Sequence, residues 1–136
     1  MKRKISLILS VILICTFVFQ TIIFASDVSV LNNNTFSTST SFTINDVGKA
    51  AVVYEYDGYT GITTGATIDI LIEKRSFLVF WNEVLTDTIT VNEEYYIDEL
   101  VFHLTEQGTY RCTVTYTVSG TAGADDVITF EDTKSW

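Results

Sequence analysis

The chain has 136 residues, 8 basic and 17 acidic side chains, a formal charge of −9, 13% aromatic residues and no proline. An acidic chain of this kind excludes nucleic-acid binding through phosphates, which needs Lys and Arg to displace counterions. One histidine and two cysteines in the whole chain also argue against a zinc site and against a disulfide scaffold.

The first segment is basic, then apolar. Lys2, Arg3 and Lys4 precede a run from Ile5 to Ala25 softened only by Ser6, Ser10, Thr16, Gln20 and Thr21. A positive end that stays in the cytosol followed by an apolar segment reads as an export signal over residues 1–25. The expected cleavage lies between Ala25 and Ser26, with a small residue at −1 and Ile23 tolerated at −3. The run is also close to the ~20 residues that span a bilayer, so a retained N-terminal membrane anchor is the alternative. Cys15 follows the large Ile14, which disfavours lipid attachment. Either way the rest of the chain is expected outside the cytoplasm, secreted or held on the outer face of the cytoplasmic membrane.

Without residues 1–25 the chain keeps 111 residues, enough for one core, and 5 basic against 17 acidic side chains, a formal charge of −12. That charge favours solubility and cations or basic partners, and it repels anionic lipid. Membrane contact is therefore expected only through an uncleaved N-terminal segment. The simplest use of the acids is to solvate outer strand faces.

Residues 26–41 are rich in Ser, Thr and Asn and are predicted to be a polar tether with an edge strand near its end. Residues 42–136 then repeat with a period of two. Lys49 to Tyr56 is β-rich, with Val52, Tyr54 and Tyr56 on one side, and Asp57-Gly58 and Gly61 break it. Thr67 to Lys74 places Ile68, Ile70 and Ile72 on one face and Asp69, Leu71 and Glu73 on the other. Lys74-Arg75-Ser76 reads as a turn into Phe77-Leu-Val-Phe-Trp81, making a hairpin. Thr86 to Val91 and Tyr95 to Leu104 read as further strands. Thr109 to Val118 is the clearest: Tyr110, Cys112, Val114, Tyr116 and Val118 share one face, which a helix would not allow. After the polar stretch Ser119 to Asp126, Val127 to about Thr133 closes a C-terminal hairpin. The spacing predicts an all-β protein, a single antiparallel β-sandwich of about seven strands. Without proline, the sheet edges need charges such as Glu73, Lys74 and Asp132 to block pairing with other chains.

Glu106-Gln-Gly-Thr-Tyr110-Arg-Cys112 resembles the strand-F signature of immunoglobulin-like sandwiches. The resemblance implies that Tyr110 is a corner tyrosine, its hydroxyl bonded to upstream backbone, and that Cys112 points into the core. No partner cysteine stands near Ala51 and Val53, and Thr67 to Lys74 has no Trp to pack on a bridge. More broadly, a basic signal, a polar tether, the Ile-Asp-Ile-Leu-Ile-Glu-Lys-Arg-Ser stretch, the aromatic strand with Trp81, and the endings Gly-Thr-Tyr-Arg-Cys-Thr-Val-Thr-Tyr-Thr-Val and Asp-Val-Ile-Thr-Phe-Glu-Asp-Thr-Lys-Ser-Trp resemble the small secreted β-sandwich proteins of Gram-positive bacteria. That resemblance implies an exported all-β fold and transfers no catalytic residue, metal ligand or cofactor.

Catalytic patterns are sparse. His103 lies in the apolar Val101-Phe-His-Leu104, with no Gly-x-Ser-x-Gly elbow in the chain, and reads as a strand residue rather than a base. Adjacent acids occur at Glu93-Glu94, Asp98-Glu99, Asp125-Asp126 and Glu131-Asp132, but glycosidase chemistry needs carboxylates facing each other across a cleft. Calcium is the one cation considered, at Gly123-Ala-Asp-Asp126, against a plain polar turn. Tyr54 with Tyr56, and Phe77 with Val79 and Trp81, are expected to fill the core rather than stack on sugars. The expected function is a non-catalytic exported binding or adhesion module for an extracellular ligand or protein. A carbohydrate-binding accessory domain is the second reading and a secreted competition or toxin-like protein the third.

Overall fold

The computed structural model describes residues 32–136. The expected signal or anchor, the Ala25–Ser26 cleavage point and residues 26–31 of the expected tether lie outside the described residues. Seven strands run β1 Thr35–Ile44, β2 Lys49–Gly58, β3 Thr63–Phe77, β4 Phe80–Val91, β5 Tyr95–His103, β6 Thr109–Gly120 and β7 Asp126–Ser135, and the described residues hold no helix. They form two antiparallel sheets, β1-β2-β5 and β4-β3-β6-β7. This is an immunoglobulin-like sandwich in which the fourth strand joins the four-stranded sheet, beside β3.

Alternation decides the faces. Ala50, Val52, Tyr54 and Tyr56 of β2 meet Ile68, Ile70 and Ile72 of β3 and Tyr110, Cys112, Val114, Tyr116 and Val118 of β6 in one buried core. Each of these isoleucines removes enough apolar surface from water to contribute about 2 kcal/mol. Three of the four large tyrosines, Tyr56, Tyr110 and Tyr116, fit with the hydroxyl on a backbone partner. Tyr56 donates to the Glu93 carbonyl in the β4–β5 loop. Tyr110 donates to the Glu106 carbonyl four residues upstream, which is corner-tyrosine geometry. Tyr116, on the four-stranded sheet, donates to the Ser39 carbonyl of β1 at 3.1 Å and so stitches the two sheets together. Cys112 is buried and unpaired, and the inward residues of β2 facing that layer include no cysteine.

Two boundaries differ from the sequence reading. The polar stretch before residue 42 is not all tether, because β1 begins at Thr35 and pairs along β2 as far as Ala50. Its Thr38 and Thr40 point inward beside Phe42, and β2 supplies the apolar surface that β1 lacks. The turn expected at Lys74-Arg75-Ser76 is strand instead: β3 continues to Phe77, and Leu78-Val79 form the turn into Phe80. Charged and serine residues imitated turn chemistry, whereas the ladder to β6 extends through Lys74. Glu73 and Lys74 consequently lie on an interior strand, so they guard no edge; Asp132 does stand on the edge strand β7.

Candidate functional site

The β3–β4 hairpin ends in four consecutive exposed apolar residues: Phe77 68%, Leu78 77%, Val79 73% and Phe80 63% exposed. This overturns the expectation that Phe77 and Val79 fill the core. The tip is also built against local preference. Two-residue hairpin turns favour Asn-Gly or Gly-x, because the strand twist suits left-handed residues. Here no non-glycine residue among the described ones has positive φ, and the register instead slips between Arg75 and Phe77. The irregularity precedes the turn, and at Leu78-Val79 bulky residues occupy a position where polar turn formers would fold more readily.

Behind the tip stands a row of cations and one indole. Arg75 pairs across the ladder with Trp81, and its guanidinium carbon lies 4.9 Å from the ring centroid. Arg111 of β6 reaches the same ring at 4.5 Å. Arg111 also holds Glu73 through two donors at 2.9 and 2.6 Å. Lys74 pairs with Glu106 of the β5–β6 loop, an ion pair that holds the Glu106 carboxyl below its usual range through the hydrogen bond first and the charge second. Arg75 is exposed and forms no ion pair with the described carboxylates. An open groove of about 330 Å³ runs beside the hairpin base, lined by Lys74, Arg75, Ser76, Asn82, Val84 and Glu106.

The other residues singled out in the sequence do not assemble a reaction centre. His103 is exposed at the end of edge strand β5, opposite Lys49. Within Asp98-Glu99 and Glu131-Asp132, neighbours on one strand point to opposite faces, so these pairs do not face a common cleft. The calcium reading at Gly123–Asp126 fails for Asp126. Its carboxylate is buried and accepts the backbone N–H groups of Asn33, Asn34 and Thr35 at 2.7 to 3.0 Å. Among the described residues no group of three or more His, Cys, Asp or Glu is placed to hold a metal ion. Tyr54 and Tyr56 are core residues, and Trp81 lies under two guanidinium groups, so no open aromatic platform is present at these positions.

Two carboxylates on edge strands act on the same buried phenol. Asp87 of β4 and Asp98 of β5 both stand on the inward-facing registers of edge strands, opposite Ile70 and Tyr54. The Tyr54 phenol is pushed up to about 12, by burial first, then by Asp98, Tyr96 and Asp87. Tyr96 donates to Asp98 at 3.0 Å. Charges turned inward at unpaired edges hinder a second chain from adding a strand.

No protein-family model matches the chain, and no curated protein matches it.

Proposed function

We propose that this chain is a non-catalytic exported binding module whose contact surface is the tip of the β3–β4 hairpin. The observation that carries the reading is the unbroken run of four exposed apolar side chains from Phe77 to Phe80, whereas other exposed apolar residues, such as Phe36, Val47 and Ile97, do not stand next to one another in the chain. Four such residues at a turn gain nothing for the fold, and a contiguous exposed apolar patch marks an interaction site. The tip lies at the end of the sandwich opposite Thr35, where β1 begins. The export signal read in residues 1–25 supports a place outside the cytoplasm.

The test is retention of the labelled protein on whole cells, glycan arrays and protein arrays. The wild type should be retained, and Phe77→Ser with Phe80→Ser should abolish retention while leaving the melting curve in place. Equal retention of both proteins would move the contact surface elsewhere. A competition or toxin-like role is the second reading, favoured by the same hairpin; rings or fibres in size-exclusion chromatography and electron microscopy would raise it above the first.

A further inference from the structure

We propose that the Phe77–Phe80 tip enters the interface of a phospholipid bilayer whose headgroups are zwitterionic. The proposal rests on the binding reading above and names the surface bound. It also departs from the expectation that only the N-terminal segment meets lipid.

Depth is the first argument. No charge occurs between Arg75 and Glu83. From the Arg75–Trp81 row to the Leu78–Val79 turn is two to three residues, about 7–10 Å at ~3.4 Å per residue. Interfacial anchors bury their apolar parts about 5–10 Å, at the boundary between headgroups and acyl chains. Chemistry at that boundary is the second. A tip inserted to the Arg75–Trp81 row sets the indole at headgroup level, where Trp concentrates because its ring is apolar and its N–H polar. The same insertion sets Arg75 among the phosphates. Lys74 and Arg111 are engaged by Glu106 and Glu73, while Arg75 stands free of carboxylates among the described residues and is exposed. A guanidinium matches phosphate oxygens in two-point geometry.

Net charge selects the lipid. Past residue 25 the chain carries 17 acidic and 5 basic residues. A domain so negative is repelled by an anionic surface beyond the reach of one arginine. A bilayer of phosphatidylcholine offers the phosphate without the net field.

The full chain is mixed with phosphatidylcholine vesicles and followed by tryptophan emission, with lipids brominated on the acyl chains as quenchers. A Trp81→Phe variant isolates the Trp81 signal from Trp136. Phe77→Ser with Phe80→Ser shares the same N-terminal segment, so any insertion by that segment cancels in the comparison. Blue-shifted, quenched emission from Trp81 supports the proposal when the double variant needs at least about tenfold more lipid for half the response. Replacing half the lipid with phosphatidylglycerol should weaken the wild-type response at low salt and recover it at high salt. Trp81 emission unchanged by vesicles overturns the proposal, as does an equal response from the double variant. If the double variant loses retention on cells or arrays while wild-type Trp81 ignores vesicles, the binding reading stands and the lipid proposal falls. A dimer that requires Phe77 and Phe80 would give the tip a second copy as its occupant and end the proposal too.

Discussion

Asp126 carries a charge into the sandwich and has it fully engaged there. Burial would raise its carboxyl; the N–H groups of Asn33, Asn34 and Thr35 outweigh that and hold it below the ordinary aspartate range. One side chain at the start of β7 thereby fixes the segment that enters β1, some 90 residues away along the chain. Charge-assisted bonds to backbone donors are among the stronger ones in proteins. Asp126→Asn is expected to cost about 2 kcal/mol, measured by chemical denaturation near neutral pH. The sign with pH follows from the lowered value. The stabilisation is complete above the pKa of an unfolded aspartate and is lost as pH falls through the folded one, so wild type and variant should converge in acid. A gap that stayed constant down to strong acid would mean the carboxylate charge is not what matters. Close approach fixes other positions as firmly. Gly48 has φ +76° with the Trp136 ring against it, and a Cβ there would meet ring carbons at 2.6 to 2.9 Å. In the left-handed region a side chain also adds about 1 kcal/mol of backbone strain.

At the scale of the element, the proposed role of the β3–β4 hairpin separates folding from contact. Its ladder is long, from Ala66–Val91 to Phe77–Phe80, and β6 secures β3 on the other side. The tip itself packs on nothing that would make Leu78 and Val79 necessary. Leu78→Asn with Val79→Gly installs favoured turn chemistry. The melting temperature is expected to stay within a few degrees or rise, while retention on the target surface is lost; a large drop in melting temperature would show that the apolar tip serves the fold. The edges tell a complementary story. β4 and β5 are edge strands that do not pair with each other, rich in β-branched and aromatic residues, in a chain without proline. Asp87 and Asp98 turn charge inward on these two strands. Asp87→Val with Asp98→Val should raise aggregation on concentration, followed by light scattering and thioflavin fluorescence, with little loss of monomer stability. A double variant as soluble as the wild type would assign edge protection to other groups.

For the whole molecule, the core sets the response to alkali. Burial first, and the Asp132 charge second, push the Cys112 thiol up to about 12 from an ordinary 9.0. The Tyr54 phenol is likewise pushed up to about 12 from 10.0. Below pH about 9 folded and unfolded chains both hold these protons. Between there and pH about 12 the unfolded chain releases them and the folded one does not, so stability must fall as pH rises through that window. Denaturation midpoints taken at intervals across it test the sign, and Cys112→Ala should flatten its lower part. The same burial makes the thiol inert, so Cys112 should react with thiol reagents only after unfolding. The strand alternation, the buried face of β6 and the three-isoleucine face of β3 were legible in the residues themselves, because a period of two allows each strand one inward face; the tyrosine corner followed only from the resemblance of Glu106 to Cys112 to a strand-F signature. The hairpin tip was not legible. Phe77, Val79 and Trp81 spell a core strand, but the ladder to β6 ends at Lys74 while β3 runs on to Phe77 paired with β4 alone, which leaves that segment with no sheet to cover it. Nor could composition say which acids meet backbone donors, which turn inward on edge strands and which meet solvent: Asp126 and Asp125 are neighbours in sequence and differ entirely in surroundings. Local alternation is a property of a strand and is written in the chain. Whether an apolar face is covered depends on which strands arrive beside it, and long-range pairing alone decides that.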